Sequence, residues 1–481
     1  MNANERRLAL LLVLGFWAGA AAVNAAGRPP NVVLILSDNQ GEWTLGCYGN
    51  PDIRTPHLDQ LAREGMLFER CYSSNAVCSP TRATLLTGLI PSQHGVHSYL
   101  GAGAAQMGPR AYSTIAEFRS LPEILAAAGY TCGLSGKWHL GDNLKPQEGF
   151  TSWVTMPHGH TTTFYGAEVI DDGKVRKEPE YLTDFWTDNG VKFIEQNKDK
   201  PFFLYLAYNG PYGLGASMLQ PARNRHADYY ADKELQSFPR EKMHPWLVGN
   251  KKLINNVEAM RRYAAEVSGV DDGVGRILAA LKANGIDEET LVIFTADQGL
   301  AAGHSGFWGM GDHTRPLTGY DWTTHVPLIY RFPEQIPAGQ RSKILISNYD
   351  FLPTVLDFLG LKEEAPQKPP LPGRSYCGTL KGKQGAWDDP VFFEYENTRA
   401  VRTPEWKYIS RFPDGPSELY DLTSDPGERH NLIDQPAHAE RQEDLRARLK
   451  EFFNRYADPR FDLSREGISK AGRRSASADV R

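Results

Sequence analysis

Continuous apolar runs alternate along the chain with segments whose apolar residues recur every three to four positions. Asn31-Val32-Val33-Leu34-Ile35-Leu36-Ser37-Asp38 is apolar at odd and even positions alike, which predicts a strand buried on both faces. Residues 201–208 and 290–295 have the same character. Each run ends in polar or turn-forming residues: Asp38-Asn39-Gln40, Asn209-Gly210-Pro211 and Ala296-Asp297-Gln298-Gly299. Such strand ends are where open α/β sheets place ligands. Helical patterns lie at 56–64, 120–128, 184–196, 257–284 and 348–359. Strands alternating with helices predict an α/β sheet covered on both faces.

The pattern changes after residue 361. Residues 362–373 are rich in Pro, Lys and Glu and read as a linker. Short runs at 391–395, 400–401, 407–411 and 418–422 predict a small antiparallel sheet, followed by a charged helix at 437–456. The expected division is 28–375 for the main domain and 376–463 for a C-terminal subdomain. The polar tail 464–481 is expected to be disordered.

At the other end, Arg6 and Arg7 precede an apolar stretch, 8–22, and a small-x-small site at Val23-Asn24-Ala25. This reads as a signal peptide, 1–25; the competing reading is an uncleaved anchor. The mature chain is then exported, periplasmic or secreted, with no integral membrane segment, since no later stretch approaches 18 apolar residues.

Composition adds bounds. The 481 residues are 41% apolar and 23% charged, a globular balance. A net charge of −5 gives no reason to expect nucleic acid as a partner. The five cysteines, Cys47, Cys71, Cys78, Cys132 and Cys377, leave one unpaired if the others pair. No C-x-x-C pair exists to suggest a zinc knuckle. G-x-S-x-G, Walker and H-E-x-x-H motifs are also missing; Gly303-His304-Ser305-Gly306 misses the first by one residue.

Cys78-Ser79-Pro80-Thr81-Arg82-Ala83-Thr84-Leu85-Leu86-Thr87-Gly88 looks like a helix start, with Pro in the first turn and Ser79 available for capping. A helix N-terminus favours anionic groups, and Arg82 lies one helical turn beyond Cys78. This segment closely resembles the first signature of the type I, formylglycine-dependent sulfatases. Gly129-Tyr130-Thr131-Cys132-Gly133-Leu134-Ser135-Gly136-Lys137-Trp138-His139 resembles the second, with Cys132 where Ser or Thr is usual. Glu418-Leu419-Tyr420-Asp421-Leu422 and Asp425-Pro426-Gly427-Glu428 resemble a structural C-terminal stretch of the family. The resemblance runs from Asn31 to about Leu432.

The resemblance implies an alkaline phosphatase-like fold with a large mixed, mostly parallel sheet, and a sulfuric ester hydrolase. It implies conversion of Cys78 to formylglycine (3-oxoalanine) by a formylglycine-generating enzyme. Arg82, Lys137 and His139 are the implied catalytic partners. Asp38, Asn39, Asp297 and Gln298, with residue 78, are the implied ligands of one Ca²⁺ per chain, a hard cation that prefers oxygen. Asn39 departs from the usual Asp, so weaker metal affinity, or a second coordination contact from Asp38, is expected.

Two further departures concern the leaving-group acid and the second sulfate-binding Lys that the resemblance implies. The turn Asn209-Gly210-Pro211-Tyr212 has Tyr212 where His is common, and Met310 stands where Lys is common. Tyr212, His304, His313 and Arg315 are candidate substrate-binding replacements; the leaving-group acid stays open. A loop, His158-Gly159-His160-Thr161-Thr162-Thr163, suits a sulfated carbohydrate, although another sulfate ester fits as well. The rival readings are a phosphodiesterase or phosphonate monoester hydrolase on the same scaffold, and an impaired substrate-binding relative.

Overall fold

The computed structural model describes residues 28–472, apart from 102–104, 384, 386, 388 and 389. The proposed signal peptide and residues 473–481 lie outside the described residues. Ten strands form the main sheet. Its centre is five parallel strands: β1 (Asn31–Asp38), β2 (Thr131–Gly136), β3 (Phe150–Thr155), β4 (Phe202–Pro211) and β5 (Thr290–Ala296). Their spatial order is β5-β1-β4-β2-β3, with antiparallel strands toward both edges. The sheet is therefore mixed but mostly parallel.

Residue alternation explains why these strands carry no polar face. Val33 and Ile35 enter one buried layer, with Leu58 and Leu61 of α1 (Pro56–Glu64). The same layer takes Trp186 and Ile194 of α3 (Leu182–Asn197) and Val267 and Ile277 of α4 (Val257–Ala283). Val32, Leu34 and Leu36 enter the opposite layer with Ala83, Leu85 and Leu86 of α2 (Cys78–Thr87). A parallel sheet needs this cover on both sides, and each fully buried large aliphatic side chain contributes about 1.5–3 kcal/mol.

The C-terminal region is a four-stranded antiparallel sheet: β6 (Val391–Tyr395), β7 (Thr398–Arg402), β8 (Trp406–Arg411) and β9 (Glu418–Asp421). Helix α5 (Ala439–Tyr456) covers it through Leu445, Leu449 and Phe453, which pack with Val401 and Leu419. Asp425 makes the expected turn; its Oδ2 accepts from the backbone N–H groups of Arg429 and His430, both at 2.7 Å.

One expectation is corrected. The first part of the tail, 464–472, is ordered: Ser464 Oγ accepts from Arg399, and Lys470 Nζ donates to the Thr114 carbonyl at 2.8 Å. Polar composition misled here because the anchoring comes from hydrogen bonds, not from an apolar stripe. Among the described residues no helix is long and apolar enough to cross a membrane.

Candidate active site

The register of the central strands builds the site. Ser37 of β1 lies opposite Ala296 of β5, so the following residues, Asp38 and Asp297, emerge side by side. Asp38 also lies opposite Pro211 of β4. Helix α2 begins at Cys78 beside them. Cys78 Sγ lies 3.4 Å from Asp38 Oδ1. Ligand atoms of Asp38, Cys78 and Asp297 all fall within 4.8 Å of one another. Ser79 does not cap the helix; its Oγ accepts from the Leu100 backbone N–H at 3.0 Å instead.

Two cations interlock with the two carboxylates. Lys137 Nζ lies 2.6 Å from Asp38 Oδ2, and Arg82 grips Asp297 Oδ2 through Nε at 3.0 Å and Nη2 at 2.8 Å. Arg82 Nη1 donates to the Lys137 carbonyl at 2.5 Å. All four side chains are fully buried. Arg82 is thus committed to holding the site's walls in place. Burial, then the charge of Asp297, pushes the Asp38 carboxyl up to about 6 against the pull of Lys137 and Arg82. Burial works hardest against the Lys137 ammonium, yet Asp38, Cys78 and Asp297 together outweigh it and hold the group above its usual range. Burial and the neighbouring Asp38 push the Cys78 thiol up.

His139 is set by the backbone. Its Nε2 lies 2.9 Å from the Leu100 carbonyl, which only accepts, so the proton sits on Nε2. Nδ1 is buried and without a hydrogen-bond partner. Burial, then Lys137 and His160, holds the ring well below its ordinary pKa and therefore neutral at pH 7. His160 packs edge-to-face on it at 5.7 Å. Gly159 permits this approach; a Cβ there would come within 2.0 Å of the His139 ring.

The remaining oxygen donors fit a hard cation. Asn39 Nδ2 donates to the Tyr212 carbonyl at 2.7 Å, which turns Oδ1 toward Gln298. Gln298 Nε2 contacts Asn39 Oδ1, and lies 3.2 Å from both Cys78 Sγ and Met310 Sδ. Gln298 Oε1 is buried with no partner. A half-turn of the carboxamide exchanges its two ends, and a cation here would select the oxygen-inward arrangement. Asp38 and Asp297, with the carboxamides of Asn39 and Gln298 beside them, are the residues that could hold such a cation.

The other sequence candidates separate. Tyr212 is at the site, its ring 5.6 Å from Lys137 Nζ and its backbone N–H on the Asp38 carbonyl. His304 is a packing residue, stacked on Trp322 at 4.2 Å and edge-on to Trp43 at 4.7 Å. His313 pairs with Asp312 at 2.6 Å, and Arg315 donates to the Asp312 and Thr314 carbonyls. These two lie in the loop that follows Met310, and Gly311 of that loop packs on Ala76. The sequence offered no sign of Leu100, which acts through its carbonyl, or of Tyr263, whose hydroxyl bonds the Asn39 carbonyl at 2.7 Å.

Known proteins resemble this chain along most of its length. The sulfatase family matches residues 30–361, and the C-terminal region described as N-sulphoglucosamine sulphohydrolase, C-terminal, matches 314–455. The chain belongs to the sulfatase family. This sulfatase is accordingly a hydrolase of sulfuric esters. It is 31% identical to mouse N-acetylgalactosamine-6-sulfatase over 84% of this chain and 76% of that protein. It is 27% identical to N-acetylglucosamine-6-O-sulfatase of Bacteroides thetaiotaomicron, over 98% of this chain and 95% of the relative. Its fold matches BT4656, solved with its substrate D-glucosamine-2-N,6-O-disulfate, with a TM-score of 0.70 and 24% identity, covering 89% of this chain and 98% of that one.

Proposed function

We propose that this sulfatase releases sulfate from an amino-sugar unit of a sulfated glycan, with residue 78 as formylglycine and one Ca²⁺ bound by Asp38, Asn39, Asp297 and Gln298. The observation that carries this reading is Cys78 at the start of a helix, facing Asp38 and flanked by Lys137 and Arg82. The names of the amino-sugar sulfatases among its relatives support the substrate class. An exported protein acted on by a formylglycine-generating enzyme belongs to the same proposal.

Formylglycine at position 78, once hydrated, would supply an oxygen to attack sulfur with departure of the substrate's alcohol, and a second hydroxyl whose loss of a proton would release sulfate and restore the aldehyde. The bound Ca²⁺ would supply Lewis-acid stabilisation of oxygen anions. The protein's own groups do the rest. Lys137 offsets charge that develops on the sulfuryl oxygens, and Arg82 fixes Asp297 and the Lys137 backbone so that little reorganises during reaction. His139 Nδ1, neutral and unpartnered, accepts a proton from the second hydroxyl. The Leu100 carbonyl keeps that nitrogen free by holding the proton on Nε2.

Mass spectrometry of the Cys78 peptide, together with sulfate release from a panel of sulfated amino sugars, tests the reading. An unmodified thiol in active enzyme would sink it.

A further inference from the structure

Residues 241–255 form a loop whose ends meet: Asn255 Nδ2 donates to the Glu241 carbonyl at 3.2 Å. Its middle is stitched to the segment after Met310. Val248 N donates to the His313 carbonyl at 2.9 Å, Arg315 N donates to the Trp246 carbonyl at 2.8 Å, and Leu247 bridges Thr314. Met310 itself touches Gln298, which touches Cys78. The loop is therefore continuous with one rim of the candidate active site.

This loop carries three exposed lysines, Lys242, Lys251 and Lys252. Among the described residues, none of the three ammonium groups has a carboxylate within ion-pair distance. The acids around the loop are otherwise engaged: Glu241 pairs with Arg429 at 2.5 Å, and Asp312 with His313 at 2.6 Å. Beside the lysines, Trp246 and His244 meet edge-to-face at 5.3 Å, and Met243 and Val248 are 44% and 49% exposed. Burial lowers the His244 pKa, so this ring adds an aromatic surface and no charge. Scattered surface lysines are ordinarily just solvated. Here three unpaired cations and an aromatic pair share one closed loop next to the chemistry.

We propose that loop 241–255 is a binding strip for the neighbouring sulfated sugars of an oligosaccharide whose reactive ester lies at residue 78. Ammonium groups suit the sulfates, and the exposed Met243 and Val248 side chains offer apolar contact to the sugars between them. The proposal rests on the sulfated-glycan reading and adds that the enzyme grips more than the unit it desulfates.

The test compares the metal-loaded, modified enzyme with its Lys242→Ser/Lys251→Ser/Lys252→Ser variant on a sulfated octasaccharide and on a small aryl sulfate. For the octasaccharide, kcat/KM should fall on the order of tenfold through KM, and high salt should bring the parent down to the variant. Turnover of the aryl sulfate should stay within about twofold, because the rim charges do not touch it. Equal rates on the octasaccharide, or equal losses on both substrates, overturn the proposal. Anisotropy titration with labelled octasaccharide keeps the two readings apart. Loop-dependent binding without sulfate release removes the glycan-sulfatase reading and leaves the strip standing; sulfate release with loop-independent binding does the reverse. A DNA duplex held as tightly as the octasaccharide also overturns the strip, since it would then read charge alone.

Discussion

Two buried charge clusters in this molecule have the same inventory and different fates. The candidate site holds two acids and two cations, Asp38 and Asp297 with Lys137 and Arg82. The junction with the C-terminal sheet also holds two and two, Asp321 and Glu428 with Lys407 and Arg402. At the junction, both cations converge on Asp321 and hold its carboxyl below the usual range despite burial, while Glu428 is pushed up to about 7 chiefly by burial. Glu428 also accepts the Asp321 backbone N–H at 2.6 Å, which closes the network. At the site, the cations are divided between two neighbouring acids, and Asp38 goes up instead. Gln298 Oε1 and His139 Nδ1 are left without partners. In one arrangement every acid is held by a cation or a backbone N–H; the other leaves two uncharged side chains with open valences beside its acids.

That contrast can be broken in four ways. The largest effect is expected from Cys78→Ala, which should cut sulfate release by at least about 10³-fold while the thermal midpoint stays near the parent's. Comparable turnover in the two proteins would remove residue 78 from the chemistry. Next, Lys407→Met should cost about 3–5 kcal/mol in denaturant unfolding, because it strands the buried Glu428 and takes away one of the two cations of Asp321, yet leave kcat per folded molecule unchanged. A collapse of kcat with intact stability would mean that the joint is not merely structural.

Asn39→Asp is expected to be intermediate. The added carboxylate should tighten Ca²⁺ about tenfold by calorimetry, and should lower the melting temperature of the chelated protein. It places a third acid beside Asp38 and Asp297 and faces the Tyr212 carbonyl with an acceptor instead of a donor. Unchanged affinity would show that charge at position 39 does not limit binding.

The smallest effect concerns Asp321. Its depressed carboxyl contributes stability that is present above its unfolded pKa of about 3.9 and lost as pH falls through the lower folded value. The stability gap between the parent and Asp321→Asn should be flat above about pH 5 and narrow by on the order of 1 kcal/mol in more acid solution. A gap that widened toward low pH would contradict the assignment.

Much of this was legible in the sequence, for identifiable reasons. Strand β1 was readable because eight consecutive buried positions leave no other periodicity, and Pro56–Glu64 because Pro opens it and a clear apolar face runs along it. The candidate-site residues were legible where they sit in contiguous motifs, as Cys78 and Arg82 or Lys137 and His139 do. What escaped is what depends on distant partners. His304 resembles an active-site histidine locally, and only Trp322 and Trp43 show that it is packed away. The Leu100 carbonyl has no side-chain signature at all. Order in 464–472 depends on Arg399 and Thr114, far back in the chain.

Three residues at the catalytic edge, Asn39, His139 and Tyr212, adopt left-handed backbone angles (φ 59°, 60° and 63°), although none is glycine. Each follows the end of a different central strand, and each such conformation costs roughly 1 kcal/mol or more. The folded state is therefore less stable than glycine at these three positions would allow. A designer seeking heat tolerance would find these positions attractive for Gly. Relaxing them would take away the imidazole, the carboxamide and the phenol together, so on the reading proposed above the most economical route to a hardier protein runs through the loss of its chemistry.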